Sequence, residues 1–277
     1  MFRITKVLNH NTVLAVKDKS TQEYLIVGKG IGFGKKVTQT VEMSPEYSLY
    51  AVSQTRLAKD IVKSIEPEFL EIANTLLDEA EKEFGKIDRN ILFSMADHIA
   101  FAVKRIKNNE QISNPLNDDI RVLFYKEYKI AEKVRPILKE KINIDVIDDE
   151  IGYITLHIHT SIDDSKVSDA MQMAQAVRTC AQFIEEKIGI TIDVTTMAYN
   201  RLMNHIRSMV ARAVTGEMLK VDLNRFIEQN YPDSFSLAKE ICMKLGHELK
   251  HGFSENEVGY LAVHIEQIKC DEMLGEE

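Results

Sequence analysis

Read against itself with a shift of 107 residues, the chain superposes its histidines: 205 − 98 and 264 − 157 both equal 107, so His98 falls on His205 and His157 on His264. The same shift aligns residues 131–159 with 238–266 without a gap. Seven of those 29 positions are identical, among them Glu150/Glu257, Gly152/Gly259, Tyr153/Tyr260 and His157/His264, and five more exchange one aliphatic residue for another. Self-similarity at one fixed shift marks duplicated units, and two copies of about a hundred residues are tandem domains rather than a solenoid. The chain therefore contains one unit twice, and each copy carries two histidines.

Two such copies leave about 60 of the 277 residues for a separate N-terminal part. Charge sets that part aside. The net −8 divides into a head of +5, where residues 1–36 hold seven Lys/Arg against Asp18 and Glu23, and a remainder of −13. A small basic head on an acidic body is the only portion suited to a polyanion, although ordinary surface charge gives the same balance. Cys180, Cys242 and Cys270 are too few for a disulfide framework and too far apart for a CxxC pair, which points to a reducing compartment. No apolar run reaches the length of a membrane span and no signal peptide opens the sequence, so a cytoplasmic protein without membrane insertion is expected.

The head reads as β structure. Short strands are predicted over 2–8, 12–17, 22–27 and 31–35, with turns at Asn9-His10-Asn11 and Gly28-Lys29-Gly30 that leave no room for a helix. Four short strands bury little apolar surface, so the head is expected to pair with a second copy. Residues 37–62 read as a weakly structured connector. Beyond Ile65 the period becomes helical. Phe69, Ile72, Leu76 and Phe84 form a stripe ended by Gly85, and Met173, Val177, Cys180, Ile184 and Ile188 form its counterpart, ended by Gly189. His98 and His205 lie beside the apolar stripe of the next helix. Ser254-x-x-Glu257 reads as a capping box opening the last helix. Each copy is predicted to be a bundle of four or five helices, with loops around 114–119 and 145–149.

Several motifs invite chemistry. His247-Glu248-Leu249-Lys250-His251 has the HExxH spacing of zinc hydrolases, but Gly252 should stop the helix and the first copy lacks both histidines, so no metal is expected. His157 and His159 would share a metal only on a strand, whereas this segment reads as a helix on which they diverge; His159, replaced by Glu266 in the second copy, is a secondary candidate. The repeated histidines have two readings, hydrogen-bonded structural residues or sites of reversible modification and pH sensing, suited by their near-neutral pKa and nucleophilic neutral form. Arg105 and Arg212, two turns beyond His98 and His205, are either partners for an added phosphate or solvated surface arginines. The run from Gly28 to Lys36 fits neither GxGxxG nor GxxxxGK. Its glycine-spaced lysines around Phe33 suit RNA, the ring offering a stacking surface, unless Phe33 is core.

With these features the whole chain resembles the BglG/LicT family of transcriptional antiterminators, and Gly28 to Lys36, residues 97–102 and residues 156–159 most resemble its glucose-type branch. The resemblance implies a multidomain protein: a small all-β co-antiterminator domain over 1–57, then two all-α phosphotransferase-regulated domains over 63–168 and 169–277. It implies a homodimer that grips an RNA hairpin overlapping a terminator, so that polymerase reads through. Asn9, His10, Asn11, Gly28, Lys29, Gly30, Phe33 and Lys35 would form the RNA-binding surface. His98, His157, His205 and His264, with His159 secondary, would be phosphorylated by HPr and a sugar-specific enzyme II of the phosphotransferase system, of glucose type. No cofactor and no catalytic residue are implied. Lys29 stands where many relatives carry arginine and His10 where many carry asparagine, and lysine lacks the planar fork that reads base edges bidentately. Two other readings are a DNA-binding activator with the same regulatory domains, which needs a helix-turn-helix absent from residues 1–60, and the HExxH zinc hydrolase.

Overall fold

The computed structural model describes the chain except for residues 19, 53–60, 111, 163–165, 190–191, 193–195, 250–251 and 275–277. The head is a five-stranded antiparallel sheet in the order β4-β1-β2-β3-β5, formed by β1 (Phe2–Val7), β2 (Thr12–Lys17), β3 (Glu23–Val27), β4 (Thr40–Val41) and β5 (Ser48–Ala51). β2 and β3 pair from Thr12↔Val27 to Val16↔Glu23, and the β1–β2 ladder is irregular between Ile4 and Lys6. Phe2 and Ile4 of β1 turn inward between exposed neighbours, joining Val13, Ala15, Ile26, Ile31 and Val41 in one apolar cluster. Leu14, Leu25 and Tyr50 are buried as well, so the central strands are covered on both faces and read as continuous apolar runs.

Two expectations for the head fail. Residues 31–35 are not a strand: Gly30 and Gly34 adopt φ of 73° and 66°, and residues 29–34 form turns that place only Ile31 in the core. The connector is not weakly structured throughout either, because β4 and β5 close the two sheet edges from within it. Thr40-Val41 and Ser48–Ala51 are too short to show a period of their own, and the sheet supplies their hydrogen bonds. The expected boundary near residue 57 lies outside the described residues.

The remainder is helical and follows the repeat. α1 (Pro67–Phe84), α2 (Leu92–Lys107), α3 (Asn117–Leu123), α4 (Tyr125–Ala131), α5 (Val134–Ile142) and α6 (Asp148–Ile162) make up the first copy. α7 (Val167–Ile188), α8 (Met197–Thr215), α9 (Asn224–Asn230), α10 (Pro232–Leu249) and α11 (Asn256–Leu274) make up the second. α1 and α7 end at Gly85 and Gly189, with φ of 81° and 77°, as their apolar stripes predict. α4 and α5 together correspond to the continuous α10. Pro136 has no N–H to donate to the carbonyl of Glu132, which favours a break there; methionine occupies the matching position 243.

Two details of the helical reading are corrected. Asn117–Leu123 is a helix and not part of a loop. The capping box does not form: the Asn256 amide donates to the Ser254 hydroxyl at 3.3 Å, while the Glu257 side chain is drawn to Arg212. A charged bidentate partner outcompetes a backbone amide.

The chain comprises two compact units, residues 1–114 with 126–167, and 115–125 with 168–277. In the first unit the outer face of the head sheet lies against α1 and the turn before α2, with Tyr50 edge-on to Phe93 at 6.3 Å. In the second, α3 packs against α8, and Tyr199 donates to buried Asp119 at 2.7 Å.

Candidate functional site

Helical spacing explains how five residues of each repeat meet. His98 and Arg105 lie seven residues apart on α2, and Glu150, Tyr153 and His157 lie at i, i+3 and i+7 on α6, so each set shares one face. α2 packs against α6. The rings of His98 and His157 then stand 5.3 Å apart, with Tyr153 5.7 Å from His98. Nη2 of Arg105 donates to both oxygens of Glu150, at 2.8 and 2.9 Å. The free edge of Glu150 faces His98, whose Nε2 is 3.4 Å from Oε2.

The second repeat rebuilds the arrangement on α8 and α11. His205 and His264 are 4.7 Å apart, Tyr260 stacks 6.3 Å from His205, Arg212 donates to Glu257 at 2.7 and 2.8 Å, and Nε2 of His205 is 3.9 Å from Oε2 of Glu257. Every member stands 107 residues from its counterpart. The solvated-surface reading of Arg105 and Arg212 is thereby corrected: both are largely enclosed and committed to a buried carboxylate. Sequence reasoning saw Glu150 as a repeat identity and Glu257 as a repeat identity and a capping residue, and the identity was the signal.

Burial disfavours the charged form of His157, His205 and His264. Burial drives His157 down to about 3, helped by His98, and burial with His264 and Arg212 does the same to His205. His264 is lowered too, by burial and Arg201. Burial opposes the charge of Glu150, but His98 and Arg105 outweigh it and hold the carboxyl below its ordinary value. In each pair the two histidines bury opposite nitrogens, Nε2 of His98 and His205 on the side of the glutamate and Nδ1 of His157 and His264 without a hydrogen-bond partner.

His159 is not part of this group. Its Nδ1 lies 3.1 Å from buried Glu127, and the counterpart in the second repeat is Ser234 donating to Glu266 at 2.6 Å. His157 and His159 thus face different neighbours, as helical geometry predicts. His247 lies in the last turn of α10 and His251 lies outside the described residues; among the described residues no group of three His, Cys, Asp or Glu side chains is placed to hold a metal ion.

In the head, two turns are zipped together. Gly28 donates to the Asn11 carbonyl at 2.8 Å and Gly32 to the His10 carbonyl at 2.9 Å. The Asn11 side-chain oxygen accepts from the Gly30 amide at 2.8 Å, and the Asn9 side-chain oxygen accepts from the Asn11 amide at 2.9 Å. Gly32 is required here, because a Cβ would stand 2.2 Å from the Asn9 carbonyl oxygen. Phe33 is 70% exposed, edge-on to His10 at 5.4 Å, which removes the core reading. Lys29 and Lys35 are exposed beside it. The Asn9 and Asn11 amides donate to Glu71 of α1, at 2.6 and 3.1 Å; no sequence signal pointed to Glu71.

Comparison with known proteins follows the same division. The family model of the CAT RNA binding domain matches residues 2–55, and that of the PRD domain matches residues 71–161 and 178–268. Protein GlcT of Staphylococcus saprophyticus is 33% identical over 276 residues, covering 95% of this chain and 96% of that protein. Protein GlcT of Staphylococcus epidermidis is 30% identical, covering 95% of each. A crystal structure of GlcT CAT-PRDI aligns with a TM-score of 0.51 at 30% identity, covering 58% of this chain and 98% of that one. Among the described residues no helix is long and apolar enough to cross a membrane.

Proposed function

The chain belongs to the BglG/LicT family of transcriptional antiterminators, a CAT RNA binding domain followed by two PRD domains, and from that premise we propose how its residues divide the work. It is an RNA-binding antiterminator regulated through its PRD domains. In our reading Asn9, His10, Asn11, Gly28, Lys29, Gly30, Phe33 and Lys35 form the surface that grips a terminator-overlapping hairpin. Backbone brought close by glycine, lysine charge and one exposed ring are what phosphates and unstacked bases require. The working form is a cytoplasmic homodimer, divided into residues 1–57, 63–168 and 169–277.

His98, His157, His205 and His264 accept phosphate from HPr and a glucose-type enzyme II. The observation that carries this is the twofold recurrence of two adjacent imidazoles beside an Arg–Glu pair. An unprotonated ring nitrogen attacks the phosphorus of the phosphorylated donor, the bond from phosphorus to the donor side chain breaks with its electron pair staying on the donor, and the donor takes up the proton that the newly phosphorylated ring gives up. The product carries roughly −2 beside Glu150 or Glu257. That charge repels the carboxylate and competes for the arginine, so modification rearranges the α2–α6 or α8–α11 contact. The five-stranded head supports the RNA-binding reading over a DNA-binding helix pair.

The test is phosphorylation of the full chain by HPr and candidate enzymes II, with sites mapped by mass spectrometry. His98→Asp and His157→Asp variants are then compared by analytical ultracentrifugation and terminator read-through. Phosphate on these four histidines, with altered association and read-through in the variants, is the expected result. Phosphate elsewhere, or variants unchanged in both assays, would leave the histidines structural.

A further inference from the structure

The amides of Asn9 and Asn11 are aimed before any ligand arrives. Each side-chain oxygen is already used, by the Asn11 amide and the Gly30 amide, so each NH₂ group must point away from the turn. Two donors thus converge on one place at the edge of the RNA face. Glu71 fills it: Oε1 accepts from Asn9 at 2.6 Å and Oε2 from Asn11 at 3.1 Å, while the Lys141 ammonium stands 3.5 Å from Oε2.

The same face of α1 holds the head elsewhere. Asn74, Asp78 and Glu81 follow Glu71 at i+3, i+7 and i+10. Tyr50 of β5 donates to Asn74 at 2.5 Å, and Arg89 reaches Asp78 and Glu81 at 2.6 Å while donating to Tyr50 at 2.8 Å. The Tyr50 contact is buried and joins sheet to helix; the Glu71 contact is only part-buried and occupies groups that the sheet does not need. A carboxylate offers two anionic acceptor oxygens, as a phosphodiester does.

We propose that Glu71 is a built-in competitor for the RNA, an acidic interaction surface of α1 that closes over the Asn9–Asn11 end of the head until RNA displaces it. This rests on the RNA-binding surface proposed above and adds its regulation. Held in the same molecule, the carboxylate acts at high effective concentration and lowers apparent affinity without blocking the rest of the surface. α1 also packs against α2, which carries His98 and Arg105, so a shift of α2 has a direct mechanical route to the clasp.

The experiment uses the full chain and its Glu71→Gln and Glu68→Gln variants. Glu68 lines the same recess and controls for the simple loss of one negative charge. The probe is a radiolabelled RNA hairpin enriched on the wild-type chain from a pool with randomised internal loops, measured by filter retention, with thermal unfolding confirming that each variant is folded. Glu71→Gln is expected to bind about tenfold more tightly, the scale of a lost charge-assisted hydrogen bond, and Glu68→Gln within about twofold of wild type. Equal gains in both variants, or no gain for Glu71→Gln, overturn the competitor while leaving RNA binding intact. Failure of wild type and Glu71→Gln alike to enrich or retain any hairpin overturns the competitor together with the RNA-binding reading.

Discussion

Arg105 and Glu150, 45 residues apart in the chain, meet through both carboxylate oxygens, and the same separation brings Arg212 onto Glu257. Glu150 is 1% exposed, and a carboxylate so enclosed remains charged only while a cation and hydrogen bonds hold it. The pair therefore joins α2 to α6 and sets the field in which His98 sits.

Removing one partner strands the other. Arg105→Ala is expected to destabilise the first repeat by about 3 kcal/mol, the cost of an unpaired buried charge, and Arg212→Ala should do the same to the second. Denaturant unfolding measures it. A loss below about 1 kcal/mol would place these pairs among exposed salt bridges.

The opposite burial of ring nitrogens predicts where phosphate attaches. Nε2 is the buried nitrogen of His98 and His205, turned towards Glu150 and Glu257, and Nδ1 that of His157 and His264. Phosphate is expected on Nδ1 of the first histidine of each repeat and on Nε2 of the second. Antibodies specific for the two phosphohistidine isomers, applied to single-histidine variants, read this directly. A single isomer at all four positions contradicts it.

Acid should loosen the histidine pairs. His157 and His205 fall from 6.5 to about 3 in the folded protein, so between those values the unfolded chain binds protons that the native one refuses. Stability is then retained above pH 6.5 and declines as pH falls, by about 1.4 kcal/mol per pH unit for each such group once well below its unfolded value. His157→Gln should flatten the acid limb of a stability–pH curve by that slope; an unchanged slope would mean that the ring titrates normally.

Phe33→Ala should cost about 1–3 kcal/mol of RNA affinity through lost stacking. Because the ring is 70% exposed, the thermal midpoint should barely move. Lost affinity accompanied by unfolding would assign the ring to structure instead.

Much of this architecture is written in local patterns. The 107-residue shift, the stripes of α1 and α7 and their terminal glycines follow from period and composition, because a helix buries whichever face is apolar wherever it docks. The i, i+3, i+7 spacing of Glu150, Tyr153 and His157 likewise places three side chains on one face before any packing is known. The resemblance of the glycine-spaced lysines around Phe33 and of the paired histidines to a known family joined head and repeats into one regulator.

Tertiary structure alone decided the rest, because a pattern fixes which face a residue occupies and not which distant face it meets. Arg105 had two plausible fates until α6 presented Glu150 to it. Glu257 satisfied a capping box on paper, yet the charged fork of Arg212 took its carboxylate. Thr40-Val41 and Ser48–Ala51 are strands because sheet edges needed partners, and Ile31 is core while Phe33 is surface because two left-handed glycines turned the chain between strands. Glu71 is the clearest case. Nothing near it in sequence distinguishes it from the other acids of α1, and its role arises from the docking of that helix beside two asparagines some 60 residues away.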